Sequence, residues 1–409
     1  MKKIVILGAG VTGLSLGQML KDKASVLILE KEDSVGGIAK TKTVDNATYH
    51  TVGGHCFNSK YPEIMEFVFS LLPQSEWHKT QRLSRINFGN YEVDYPIEFS
   101  IKQIFEKDSD FAYRATLDFL KSEDSGKYNN LEDWFRQKFG DELCDRYFIP
   151  YNSKIWGNEP RNMDYKWVQD KLPIPDKRGF FNALMHTESD TMPHSSFYYP
   201  NTNNQASLID ALAKGLDVKT STPVNSIKKL GEKWIINGSV EADIVVSTLP
   251  LNLLPSYIDG VPSEVLEQAS KLRYNKVSNV FWKSRLTDKT WTYQPSRDTI
   301  FHRYIHIGSF YKPSEGYTIT ECVGEHSYDE MVECGRKDSF LIEPLDYNVS
   351  EHAYVVFDGN RDKAVKNVSD YLESIGIRSI GRFGRWEYYN MDICMLDSMN
   401  TAKEIIKIL

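Results

Sequence analysis

The sequence predicts an α/β fold whose parallel sheet is interrupted once by a helical insert and once by a mainly antiparallel sheet. Three observations predict it. The chain opens with an apolar run, Ile4 to Leu7, that passes through Gly8-Ala9-Gly10-Val11-Thr12-Gly13 into a second apolar run, Ser25 to Glu30. Between Ile97 and Leu172, apolar residues recur at three- and four-residue spacing with charges between them, the pattern of amphipathic helices. From Val277 to Cys322 they alternate with polar residues, as in a sheet with one wet face.

The opening segment reads as strand, glycine turn, helix and strand, the first βαβ unit of a Rossmann-type domain. Gly8 permits the tight turn, Gly10 lets the backbone approach a pyrophosphate, and Gly13 lets helix and strand pack closely. The helix start then offers free amides to phosphate oxygens. Glu30 ends the second strand, where a carboxylate accepts from both hydroxyls of an adenosine ribose and repels a 2′-phosphate, which disfavours NADP. Lys2, Lys3 and the uncharged stretch to Leu20 imitate a secretory leader, but four glycines interrupt it and no small-residue cleavage site follows.

Further along, a helix is expected over Tyr61–Leu72, then helices over Ile101–Lys107, Phe111–Lys121 and Leu131–Tyr147. Short strands are expected over Val218–Thr220, Val224–Lys228, Lys233–Ile236 and Ile244–Thr248, the last a buried parallel strand. Val277–Lys283, Thr299–Ile307 and Tyr317–Cys322 form the alternating sheet, and a helix follows Asp392.

Composition narrows the function. The 409 residues exceed one ordinary core, and 20 Phe, 23 Tyr and 8 Trp give more aromatic surface than a core alone asks for, so some is expected to line a pocket. A net charge of −7 with no basic tract of five or more argues against a nucleic-acid partner. No later apolar run is long enough to span a bilayer. Cys56, Cys144, Cys322, Cys334 and Cys394 are too scattered for a disulfide framework or a zinc site, so the expected location is the reducing cytoplasm. His302 and His306, four apart on a strand, do not make a metal pair, and no metal is expected.

Beyond Glu30, Lys31-Glu32-Asp33-Ser34-Val35-Gly36-Gly37 sets a paired glycine where backbone meets a bound cofactor. This element resembles the flavoprotein group that includes amine oxidases, protoporphyrinogen oxidases and UDP-galactopyranose mutases, and the resemblance implies FAD rather than NAD. Matches to the mutases continue along nearly the whole chain. Gly53-Gly54-His55-Cys56-Phe57 stands for their G-x-H-x-F segment, which implies that His55 lies against the flavin. Lys154-Ile155-Trp156-Gly157 stands for K-x-W-G, which implies that Trp156 packs on the base of a nucleotide sugar. An arginine usual soon after L-P is missing from Lys171-Leu172-Pro173-Ile174-Pro175-Asp176, although Arg178 is near. Phe197-Tyr198-Tyr199-Pro200 precedes a loop where Asn203 and Asn204 replace two glycines, a tolerable exchange because Asn enters positive φ more readily than most residues. Phe301-His302-Arg303 matches an aromatic-x-arginine strand whose arginine contacts substrate phosphates, a task a planar guanidinium suits. Gly381-Arg382-Phe383-Gly384 followed by Tyr388-Tyr389-Asn390-Met391-Asp392 matches G-R-x-G and Y-x-D-M-D, with Asn390 in place of the first aspartate.

The resemblance thus implies an FAD domain over residues 1–60, 201–255 and 350–409, a helical insert over 97–175, and a substrate domain over 61–96, 176–200 and 256–349. Its cofactor set is Gly8, Gly10, Gly13, Glu30, Gly36, Gly37, Val224, Arg382 and Asp392; its catalytic set is His55, Arg303, Tyr388 and Asn390; Trp156, Arg303 and Tyr388 bind substrate. The implied reaction exchanges ring forms of a nucleotide-linked sugar for a surface polysaccharide: reduced flavin displaces the nucleotide, the sugar ring opens and recloses, and nothing is oxidised overall. The rival reading is a flavin oxidoreductase of the protoporphyrinogen oxidase or amine oxidase kind. Phosphate recognition separates the two, because an arginine near the flavin suits the mutase and an apolar tunnel suits the oxidase. A homodimer is compatible with either, and the sequence sets no oligomeric state.

Overall fold

The structure is a computed structural model that describes residues 1–169, 172, 174–185, 196–311 and 316–409. The opening strand, Lys3–Leu7, lies at the centre of a five-stranded sheet in the order Ile377–Ser379, Ile244–Ser247, Lys3–Leu7, Ser25–Leu29, Asp217–Lys219, and every pairing is parallel. Its alternate residues feed different cores. Ile4 and Ile6 pack with the helices Val11–Leu20 and Met391–Ile406, whereas Val5 and Leu7 pack with Leu254, Val368 and Trp386 on the other face. Burial on both faces is what makes such a strand read as an unbroken apolar run. Because the chain turns one way into Ser25–Leu29 and the other way into Ile244–Ser247, the order reverses beside Lys3–Leu7, and a crevice opens at the carboxyl ends of these strands.

A second sheet of seven strands runs in the order Leu341–Val355, Tyr274–Ser284, Gly316–Val323, Arg303–Ile305, Trp291–Tyr293, Ser84–Asn87, Glu92–Asp94. It is antiparallel except where Trp291–Tyr293 runs parallel to Ser84–Asn87. The helical insert packs on this sheet, with Trp134, Phe135, Phe139 and Phe148 in one core with Ile86, Val277 and Phe281.

Several expected elements change shape. The helix expected over Leu131–Tyr147 stops at Phe139, because Gly140 has φ +81° and its added Cβ would lie 2.8 Å from Asp118 Cβ; helix resumes at Asp141–Leu143, widens into a π-turn over Cys144–Phe148 and continues over Ile149–Trp156. The strand expected over Thr299–Ile307 shrinks to Arg303–Ile305. Val224 precedes the strand Ile227–Leu230 instead of starting it. The long strand Leu341–Val355 was not expected: Pro344 and three register shifts against Tyr274–Ser284 disturb its alternation. The helix Arg361–Ile375 was likewise not expected. Asn203 does take positive φ, +59°.

Candidate functional site

A single cavity of about 1920 Å³ starts at the glycine turn and runs past His55 and Arg303 to a group of tyrosines below the helical insert. Ligand pockets for one drug-sized molecule occupy roughly 300–1,000 Å³, so this one has room for a dinucleotide and a second ligand.

At the crevice end the three glycines differ in what surrounds them. Gly8 has φ +99°, and a Cβ there would lie 2.4 Å from Thr248 Oγ1. At Gly13 a Cβ would lie 2.0 Å from the Gly8 carbonyl oxygen, so this glycine sets the helix on the strand and does not itself line the cavity. At Gly10 a Cβ would meet only Gly37 Cα, at 3.8 Å, and the open space is the cavity. The Gly36 amide donates to the Ala9 carbonyl at 2.8 Å, which ties the paired glycine to the turn. The helix Val11–Leu20 has no side-chain cap at Gly10 and no acid in its first turn, which leaves its amides and positive end to an anion. Glu30 is nearly buried: one carboxylate oxygen accepts from the Ala9 amide at 2.7 Å and the other from the Glu32 amide at 3.0 Å. Two acceptor directions are thus spent on the turn itself, and a carboxylate retains others. Val224, Thr248 and Asp392 line the same region.

The middle of the cavity is cationic. Arg303 donates through Nε to Glu321 and through Nη2 to the Tyr354 hydroxyl at 2.6 Å. Glu321 is fully buried; its Oε1 accepts from the Gly53 amide at 2.8 Å, and its Oε2, which takes Arg303, also lies 3.3 Å from His302 Nε2. Burial alone pushes the Glu321 carboxyl up, but Arg303 and His302 overcome this and hold it well below the usual carboxylate range. The pair is therefore ionised. His55 is close by, since a Cβ on Gly53 would lie 3.3 Å from Arg303 Nη2 and 4.0 Å from His55 Nε2. Burial first, then the Arg382 and Arg303 cations, push His55 down to about 4 against the pull of Glu321 and the Ile38 carbonyl. The imidazole is neutral, and its Nε2 has no hydrogen-bond partner among the described residues.

Arg382 is held by backbone carbonyls, of Ala353 at 2.7 Å and Tyr389 at 3.3 Å, and its guanidinium lies 4.7 Å from the Tyr388 ring centre and 5.4 Å from that of Tyr354. Trp156 donates to Asn152 Oδ1 at 3.1 Å and meets Trp167, Tyr354, Phe357 and Tyr388 edge to face. Asn390 is exposed at the start of Met391–Ile406 and its side chain does not cap that helix. All of these line the cavity, so the structure brings together every sequence-predicted site residue except Gly13. Arg178 is exposed and does not line it, while Lys171 and Pro173 lie outside the described residues.

Four participants went unrecognised in the sequence. His50 is buried between the His55 amide, which donates to its Nδ1 at 3.0 Å, and the Tyr199 hydroxyl, 2.9 Å from its Nε2; with Nδ1 accepting, the proton is assigned to Nε2. Glu321 is the second, legible only from the cross-strand register that pairs it with Arg303. Arg82, unlike those two, lines the cavity itself, donating to the Tyr293 hydroxyl at 2.8 Å with its guanidinium 4.8 Å from the Trp291 ring centre. Glu98 is the fourth.

Among the described residues no cluster of three or more His, Cys, Asp and Glu could hold a metal, and no helix is long and apolar enough to cross a membrane. The glycine turn, the uncapped helix start and the volume of the cavity fit a dinucleotide. Comparison with known proteins agrees. Residues 11–285 match the family described as flavin containing amine oxidoreductase. Protoporphyrinogen oxidase 1 of the Spinacia oleracea chloroplast is 22% identical over 315 residues, covering 68% of this chain and 55% of the relative, so the chain spans about half the length of that protein. Among solved structures, a reduced UDP-galactopyranose mutase superposes with a TM-score of 0.88 at 21% identity, covering 100% of this chain and 96% of that one. A structure described as a protoporphyrinogen oxidase, from Exiguobacterium sp. 255-15, gives 0.77 at 15% identity, covering 100% and 99%. Identities this low establish the fold. With the family match spanning more than half of its residues and a cavity with room for a dinucleotide, the chain is a flavoprotein that belongs to the flavin containing amine oxidoreductase family.

Proposed function

We propose that the protein is an FAD-dependent mutase that interconverts ring forms of a nucleotide-linked sugar, in the cytoplasm, for a surface polysaccharide. The observation that carries this reading is Arg303, an ionised guanidinium in the wall of the cavity beside His55, where an oxidase for apolar substrates would want an apolar wall. Its Nη1 makes no hydrogen bond among the described residues, so the arginine has a donor to spare for a phosphate oxygen. When bound, the reduced flavin supplies an electron-rich nitrogen able to displace a nucleotide from a sugar. Around it this chain's residues do separate work: Arg303 holds the diphosphate as it departs, Tyr388 and Trp156 wall the site, neutral His55 offers an acceptor at Nε2, and Asn390 contributes an amide where the ligand is anionic. Gly8, Gly10, Gly36, Gly37, Val224, Arg382 and Asp392 border the cofactor, and Gly13 sets the turn beneath it.

The test is to incubate dithionite-reduced protein with a panel of UDP- and dTDP-sugars and to separate the products by chromatography. A second peak of identical mass with the other ring size is expected from reduced protein and not from oxidised protein. The family description and the 22% identical relative favour a second reading, an oxidoreductase, for which these incubations would leave every sugar unchanged while, in a separate incubation, an amine or lipophilic substrate bleaches the flavin of the oxidised protein.

Glu30→Arg is expected to release FAD on gel filtration. It removes both acceptors of the Ala9 and Glu32 amides and places a cation at the ribose, and losing one charge-assisted hydrogen bond alone costs about 1.5–3 kcal/mol. Glu30→Gln, which keeps one acceptor oxygen, should retain more of the yellow colour.

A further inference from the structure

In the wall of the cavity four tyrosines gather: Tyr95 and Tyr293, with ring centres 4.8 Å apart, Tyr151, 5.5 Å from Tyr293, and Tyr147, stacked 5.5 Å from Tyr151. The Tyr293 hydroxyl is taken by Arg82, but those of Tyr95, Tyr147 and Tyr151 make no hydrogen bond among the described residues. Set among these rings is Glu98, 2% exposed, which lines the cavity and has electrostatic contact with Tyr95 and Tyr147. No side chain among the described residues hydrogen-bonds it. Burial pushes its carboxyl up to about 8, and its own backbone amide opposes this only in part. A buried acid without a cation stays protonated, and a protonated carboxyl is one donor beside one acceptor.

We propose that Glu98 is the specificity-determining residue of this chamber, a carboxylic acid that pairs with the adjacent N–H and C=O of a flat, uncharged base on the ligand. The inference rests on the nucleotide-sugar reading above. Aromatic walls take the faces of such a base, and the acid matches its edge with two hydrogen bonds in opposite senses. The titratable groups that act on Glu98 are Tyr95 from its own segment and Tyr147 from the insert, with Tyr151 and Tyr293 continuing the group of rings beyond them. Burial holds Tyr95, Tyr147 and Tyr151 above their usual range, so they stay neutral while Glu98 titrates. Arg82 stays charged throughout, but it is paired with the Tyr293 hydroxyl and does not act on Glu98.

The experiment is calorimetric titration of the FAD-loaded protein with UDP at about pH 7 and about pH 9, using wild type, Glu98→Gln and Glu98→Leu. Deprotonation through about pH 8 removes the donor, so wild-type affinity should fall about tenfold more between the two conditions than that of Glu98→Gln, whose amide keeps donor and acceptor at both. Glu98→Leu should bind weakly at both. If wild type and Glu98→Gln weaken in step, or if Glu98→Leu binds like wild type at about pH 7, Glu98 does not read the ligand, while the nucleotide-sugar reading stands. If wild type binds neither UDP nor dTDP at either pH, both inferences fall together.

Discussion

Arg303→Ala is expected to retain FAD, lose UDP binding and nucleotide-sugar turnover, and unfold at a lower temperature. The first loss follows from the phosphate contact, since removing one partner of a desolvated charge pair costs about 2–5 kcal/mol of binding. The stability loss has a separate cause: Glu321 is fully buried and ionised by virtue of Arg303, and stranding one charge of a buried pair costs about 3–5 kcal/mol. The double variant Arg303→Ala with Glu321→Gln separates the effects. It should recover most of the melting temperature in a thermal scan and none of the UDP affinity. Recovery of affinity would mean that Arg303 acts through Glu321 and does not touch the ligand. Flavin loss from the single variant would place Arg303 at the cofactor instead.

The glycine turn should show an opposite pair of outcomes. Gly13→Ala drives a methyl to 2.0 Å from a backbone oxygen, which no rotamer relieves, so helix and strand must separate. Overpacking typically costs 1–3 kcal/mol and more where backbone is the obstacle, so about 3 kcal/mol or more is expected here, seen as a lower apoprotein melting point. Gly10→Ala has ordinary space, 3.8 Å to Gly37 Cα, and faces the cavity. Its apoprotein should melt like wild type while FAD retention falls. If both variants weaken the apoprotein equally, the free side of Gly10 is not where the pyrophosphate lies.

How much of this was legible in the sequence depended on distance along the chain. The βαβ unit at the start was legible because its strand, turn, helix and acid are consecutive, each with its own local signal. His55, Trp156, Arg303 and Tyr388 could be named one by one from motifs, and the structure sets them around one cavity. Glu321 could not. In Gly316–Val323 it reads as the wet member of an alternating strand, whereas neighbouring strands and the insert cover both faces, and Arg303 directly across is what makes a charge there tolerable. Glu98 carries no local signal of its role, because nothing nearby in the sequence reveals that the rings closing over it include Tyr147. Helix ends were misjudged where a glycine had a tertiary neighbour, as at Gly140 against Asp118.

The parallel sheet has a consequence for how the protein comes into being. Lys3–Leu7 and Ser25–Leu29 are made before the rest of their sheet, since their outer neighbours are Asp217–Lys219 and Ile244–Ser247, and Ile377–Ser379 completes the edge last. At about 5–20 residues per second, a ribosome leaves the first strand pair without its last partner for tens of seconds. Through that interval a nearly continuous apolar ribbon has open edges, and the helix that will cover one face, Met391–Ile406, does not yet exist. The first strand pair is therefore expected to stay uncovered until residues 377–406 have been made, and newly made protein is expected to gain its yellow colour only after that point, as absorbance followed during cell-free synthesis would show.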